Sequence, residues 1–113
     1  MDGTLINSKS QISTINKYAL NEFTKAGGTF AVATGRTLHS CKQYIPELPI
    51  NAPSIFYNGT ILQDTNNNVV LKTLSLQTKI LFNFLKQCLI HCPNTCIELH
   101  TKDTFHIITK EEI

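Results

Sequence analysis

The sequence predicts an α/β fold: a parallel-sheet unit over residues 1–72, followed by the start of an α+β unit over residues 73–113. Three observations carry this. An amphipathic helical pattern ends in Gly27-Gly28 and runs straight into an apolar stretch, residues 29–33. Two apolar stretches each end in a polar loop, Thr34-Gly35-Arg36 and Asn58-Gly59. After Gly59 the spacing changes from strand-helix-strand to hairpin. The first of these orders favours a parallel sheet with right-handed crossovers.

Each element has a local cause. Ser13 is placed to cap a first helix that buries Ile15, Tyr18, Ala19, Phe23 and Ala26 on one face. Gly27-Gly28 stops it, because glycine tolerates the left-handed conformation after a helix. Residues 29–33 read as a buried strand. A second helix is expected from about Thr37 to Ile45, closed by Pro46. Residues 54–57 form a short strand with Asn58-Gly59 as the turn behind it. Residues 60–63 and 69–73, around a polar turn, read as an antiparallel hairpin. Ser75 is placed to cap a third helix whose face is Ile80, Leu81, Phe84, Leu85, Cys88 and Leu89. Residues 95–99 and 105–109 read as two strands around the turn Thr101-Lys102-Asp103.

The composition narrows the function classes. Of the 113 residues, 42% are hydrophobic and 16% charged, a globular balance with enough chain for one domain core. The net charge of +2, with scattered Lys and Arg, gives no nucleic-acid surface. No apolar run approaches the ~20 residues of a membrane span. The N-terminus shows no secretory pattern, so a cytoplasmic protein is the expectation. Cys88, Cys92 and Cys96 fall four apart, and His91 or His100 could join them around a metal. Pro93 interrupts that helix, and the spacing lacks a second matched pair, so Cys41 and these three are expected to pack as reduced, small apolar residues.

The chemistry sits in the loops at strand ends, where open α/β sheets bind ligands. A hydroxyl from Thr34, backbone N–H groups beside Gly35 and the Arg36 guanidinium together suit a phosphoryl group. Asp2 adds a carboxylate for acid/base work or for holding Mg²⁺. Taken singly, each signal also has a plain reading. Asp-Gly is a common turn, Thr34 could cap the second helix, and Asn58-Gly59 could be a hairpin turn.

Their order is more specific. Asp2-Gly3-Thr4-Leu5, a helix ending in Gly-Gly, Ala31-Val32-Ala33-Thr34-Gly35-Arg36 and Phe56-Tyr57-Asn58-Gly59-Thr60 resemble the haloacid dehalogenase (HAD) superfamily. Among its members the chain resembles the Cof-type hydrolases, over essentially its whole length. The resemblance implies a Rossmannoid parallel sheet, here incomplete with its first strand missing, and the start of an α+β cap domain. It implies a Mg²⁺-dependent phosphatase of small phosphorylated metabolites such as sugar phosphates, acting through an aspartyl-phosphate. Asp2 matches the second Asp of the family's Asp-x-Asp-Gly-Thr motif, the acid/base whose backbone carbonyl helps bind the metal. Thr34 matches the hydroxyl that holds the transferring phosphoryl oxygen. Gly35 and Arg36 follow as in Cof-type members, and Asn58 with Gly59 matches the turn bordering the substrate.

The sequence also departs from the pattern. Met1 stands at the variable position of the motif, so the nucleophile falls before it. The third-motif Lys and the fourth-motif acidic pair do not occur within the 113 residues. The expectation is therefore a fragment, inactive alone, since losing a covalent nucleophile costs on the order of 10⁶ in kcat. In-frame upstream codons for an apolar strand ending in Asp would support it; an in-frame stop directly before Met1 would contradict a mis-assigned start. The competing expectation is a non-catalytic remnant, or a half that pairs with a separately encoded C-terminal half. A plain nucleotide-binding module is disfavoured, because no Gly-x-Gly-x-x-Gly or Walker-type loop is present.

Overall fold

Two short sheets and three helices make up the computed structural model, which describes residues 1–101 and 104–109. They fall into two compact units, Met1–Ser75 and Leu76–Ile113.

The first unit begins with a curled loop. The Met1 carbonyl accepts from the amides of Leu5 and Ile6 at 3.0 and 3.1 Å. Gly3 permits this curl with a φ of 68°. Helix α1, Thr14–Lys25, starts where the Ser13 side chain accepts from the Asn16 amide. It ends in a Schellman arrangement: the Gly28 N–H donates to Phe23 and the Gly27 N–H to Thr24. Gly28 has a second role, because a Cβ there would lie 2.4 Å from the Phe23 ring.

The buried face of α1 differs from the expected one. Ile15 is 80% exposed, Tyr18 68% and Phe23 52%, and no residue of the helix is fully buried. Leu20 makes the core contact instead, and Lys17 beside it forms an ion pair with Glu47. The helix thus turns Leu20 to the core and leaves its broader apolar stripe exposed.

Residues 29–33 were expected as a strand. They run extended beside strand β1, Ser54–Phe56, with one parallel bridge, Ala33 to Ile55. The reason is in the hydrogen bonding. The Phe30 amide donates to the Asn51 side chain and the Val32 amide to the Ser54 hydroxyl, so side chains replace carbonyls in the ladder. Continuous backbone pairing is antiparallel: β1 pairs with β2, Ile61–Asp64, which pairs with β3, Val69–Thr73.

The second helix is shorter than expected. Helix α2 spans only Leu38–Cys41, with the Thr37 side chain capping it. Pro46 does not close it, but lies inside a separate 3-10 turn, Ile45–Glu47. Proline fits that first turn because it has no amide to leave unpaired. Ile6, Ile12, Val32, Tyr44, Leu48 and Ile50 form one core cluster. Cys41, Phe56 and Ile61 form a second, and Met1 packs against both.

The second unit holds α3, Thr78–His91, and the antiparallel pair β4, Ile97–His100, and β5, Phe105–Ile108. Gln77, not Ser75, is its N-cap, and its side chain makes no capping bond. Of the six residues expected on the α3 face, Leu85 and Leu89 are buried, while Ile80 and Phe84 are more than 60% exposed. Lys102 and Asp103 of the expected turn lie outside the described residues. The four cysteines are free: Cys41 is buried, Cys88 half-buried, and Cys92 and Cys96 are exposed. The packing expectation therefore holds for Cys41 and fails for Cys92 and Cys96. No helix among the described residues is long and apolar enough to cross a membrane.

Candidate active site

Two loops of the first unit are tied together by their main chains. The Asn58 amide donates to the Thr34 carbonyl at 3.1 Å, and the Tyr57 amide to the Arg36 carbonyl at 3.2 Å. These bonds require an abrupt turn at the end of β1. Tyr57 and Asn58 both take positive φ, 51° and 53°, and Gly59 follows at 103°. Asparagine tolerates the left-handed region better than most residues, and glycine adopts it freely. The Asn58-Gly59 pair is thus both the β1–β2 connection and one wall of the site.

Thr34 is buried and held by its own amide, which donates to the Ile55 carbonyl at 3.0 Å. Its hydroxyl oxygen accepts from the Arg36 amide at 3.1 Å, leaving its proton to be donated elsewhere. Capping of α2 falls to Thr37, so Thr34 is not a helix cap. A side chain at Gly35 would displace the Asn58 amide group. A Cβ at this position would sit 2.6 Å from Asn58 Oδ1 and 3.1 Å from Nδ2. The glycine lets the Asn58 amide group lie directly over the backbone after Thr34.

An open cleft of about 500 Å³ results, lined by Met1, Ala33, Thr34, Gly35, Ile55, Asn58 and Gly59. Four of the six expected site residues, Thr34, Gly35, Asn58 and Gly59, therefore share one surface. The other two, Asp2 and Arg36, are paired with each other. Arg36 Nε donates to Asp2 Oδ2 at 2.7 Å and its Nη2 to Oδ1, a two-pronged arrangement. The Arg36 guanidinium holds the Asp2 carboxyl below the usual carboxylate range, and Asp2 in turn raises Arg36. Asp2 is exposed, so solvent screens the pair.

Tyr44 carries no functional signal in the sequence, where it falls inside the expected second helix. The guanidinium carbon of Arg36 lies 5.4 Å from the centre of its ring. The two are eight positions apart along the chain, and an early end to α2 brings them together, which no periodicity signals.

The fit to a metal is partial. Asp2 offers a carboxylate and a main-chain carbonyl, but the carboxylate is committed to Arg36. Among the described residues no group of three or more His, Cys, Asp or Glu side chains could hold a metal ion. These residues alone do not make a Mg²⁺ site.

Comparisons with known proteins bear on this geometry. The family model of haloacid dehalogenase-like hydrolases matches residues 1–112. A 5-amino-6-(5-phospho-D-ribitylamino)uracil phosphatase of Bacillus subtilis, YcsE, is 36% identical over 74 residues, covering 66% of this chain and 30% of its own. A second B. subtilis phosphatase described in the same words, YwtE, is 35% identical over 74 residues, 66% of this chain and 25% of its own. Among solved structures, a haloacid dehalogenase-like hydrolase from B. subtilis superposes with a TM-score of 0.77 at 27% identity, over 92% of this chain and 35% of that one. The phosphatase BT1666 from Bacteroides thetaiotaomicron superposes with a TM-score of 0.81 at 18% identity, over 95% and 38%, a likeness of fold. The chain spans less than a third of the length of these curated relatives.

Proposed function

The chain belongs to the haloacid dehalogenase-like hydrolases, and on that premise we propose that the whole protein is a Cof-type phosphatase of small phosphorylated metabolites, sugar phosphates among them. The observation that carries the reading is the cleft lined by Thr34, Gly35 and Asn58, with the Asp2–Arg36 pair formed by the residues next to it in the chain. A phosphate monoester carries up to two negative charges, and this corner offers hydroxyl, amide and guanidinium donors to match them.

Roles follow from chemistry. The Thr34 proton donates to a phosphoryl oxygen. Asn58 borders the remainder of the substrate. Arg36, released from Asp2 by the arriving anion, pairs with the phosphoryl group. Asp2, freed from Arg36, must first take up a proton; it then gives that proton to the leaving alkoxide and takes one back from the attacking water. The nucleophilic carboxylate of the aspartyl-phosphate route belongs two residues before Asp2, so the reading concerns a protein that carries it, and the 113 residues alone are expected to be inactive. Mg²⁺ enters this reading as the family's metal. Asp2 would contribute oxygen to it, and the metal would neutralise phosphoryl charge. The relatives act on a phosphorylated ribitylamino-uracil, which makes a phosphorylated sugar-like chain the first substrate class to test.

The experiment is hydrolysis of p-nitrophenyl phosphate with Mg²⁺ by two proteins: the 113 residues, and a form extended through the nucleophile and to the relatives' length. Turnover by the extended form alone is expected. Turnover by the 113 residues, abolished by Asp2→Asn, would mean that another group is the nucleophile. Turnover by neither would favour a non-catalytic remnant.

A further inference from the structure

We propose that Tyr44 is a positioning residue for the phosphoryl site: its ring face supports the Arg36 guanidinium, and its hydroxyl anchors the segment that follows Asp2. This rests on the phosphatase reading above. No residue of the motif pattern leads to Tyr44, and the inference comes from how the side chain is held at both ends.

Tyr44 is 3% exposed, so its ring is fixed by packing with Ile6, Ile12, Val32, Leu48 and Ile50. The Arg36 guanidinium carbon stands 5.4 Å from the ring centre, within the range where a cation is attracted to a π face. The hydroxyl donates to the Ser10 carbonyl at 3.2 Å. Ser10 is itself held in an unusual backbone conformation, with a φ of 56°. It closes a loop in which the Asn7 side chain accepts from the amides of Lys9 and Gln11 at 2.9 and 3.0 Å. One buried side chain therefore contacts Arg36 directly and, through the Ser10 carbonyl, the loop that begins at Asn7, a few residues after Asp2.

The consequence is geometric. An arginine on a flexible stem that leaves a carboxylate for an arriving phosphate must still be near the cleft when it lets go. The ring keeps the guanidinium plane beside the cleft in both states, so Arg36 exchanges one anion for another without first being recaptured from solvent. Substrate capture should feel the loss of the ring more than the chemical step does.

The test uses the extended, active protein with Tyr44→Leu and Tyr44→Phe. Tyr44→Leu is expected to raise KM for p-nitrophenyl phosphate by about 3- to 10-fold with a smaller change in kcat. Tyr44→Phe, which keeps the face, should recover most of that loss. In parallel, the Arg36 Nε–Hε resonance should show ring-current displacement and contacts to the Tyr44 ring hydrogens, present in wild type and Tyr44→Phe, absent in Tyr44→Leu. A Tyr44→Leu protein that melts lower but keeps wild-type KM and an unmoved Arg36 resonance would overturn the proposal. So would a wild-type spectrum without Arg36–Tyr44 contacts, which decides the matter even if Tyr44→Leu does not fold. If the contacts are present and respond as expected while no form hydrolyses any phosphomonoester, Tyr44 stands as the support of Arg36 and the phosphatase reading falls.

Discussion

The two units of the chain solve the burial problem unequally. In Met1–Ser75 two apolar clusters lie against each other through Met1 and Ile45, and Ser54, Thr34 and Gln63 are buried among them. In Leu76–Ile113 only Leu85 and Leu89 are buried among the described residues, while Ile80, Phe82, Phe84, Ile90, Phe105 and Ile107 are each more than half exposed. The first unit has a core that can aim side chains; the second has secondary structure without a core of its own. A helix and a two-stranded pair of this size are marginal alone. The candidate site lies wholly on the unit that has the core, as a site needs rigid support.

The comparison is most sharply tested by hydrogen exchange. The Ile55 amide, bonded to Val32 at 2.7 Å, should exchange about 100-fold or more slowly than amides of β4 and β5. Equal protection would mean that the second unit is stabilised as well as the first.

Core truncation should divide the units next. Phe56 is fully buried, so Phe56→Ala is expected to cost about 3–5 kcal/mol in denaturant unfolding. Phe84, 64% exposed, should change stability by no more than about 0.5 kcal/mol when replaced by Ala. A large loss at Phe84 would show that its face is covered in solution.

Helix caps give a smaller contrast. Ser13→Ala removes a real side-chain bond and should cost about 1 kcal/mol. Gln77→Ala removes no capping bond and should be close to neutral on the same scale.

How much of this was legible in the sequence follows the same divide. Ser13, Gly27 and Gly28 act through bonds within a few residues of chain, and they fall where the sequence places them. The hairpin of β2 and β3 is equally local. What failed depended on tertiary partners. The apolar stripe of α1 is the right pattern on the wrong face, because Leu20 is the residue of the helix that packs against the first core cluster. Residues 29–33 had strand composition, yet Asn51 and Ser54 side chains took their amides. In the site, the motif order brought Thr34, Gly35, Asn58 and Gly59 to notice, and all four line the cleft. Neither the commitment of Asp2 to Arg36 nor the ring beneath Arg36 could be read from spacing, since both come from side-chain directions across 34 and 8 positions of chain.

The smallest expected effect is in acid. Arg36 lowers the Asp2 pKa, and the Asn67 side chain and backbone lower that of Asp64, each from 3.8. A carboxylate depressed in the folded state adds stability above its unfolded pKa and loses it as pH falls through the folded value. Asp2 is exposed and Asp64 only partly buried, so the loss below pH 3.8 should be slight. Carboxyl carbon shifts followed by NMR should place both midpoints below 3.8; an Asp2 midpoint at or above that value would mean that the pair with Arg36 is not formed in solution.

The central claim is that the cleft beside Asp2 handles a phosphoryl group. The most direct measurement is steady-state hydrolysis of p-nitrophenyl phosphate with Mg²⁺ by the extended protein, wild type against Asp2→Asn. Asp2→Asn should lower kcat by about 10²- to 10⁴-fold, with the melting temperature nearly unchanged. Turnover by Asp2→Asn at the wild-type rate would contradict the account, because the carboxylate paired with Arg36 beside the cleft would then have no part in the chemistry.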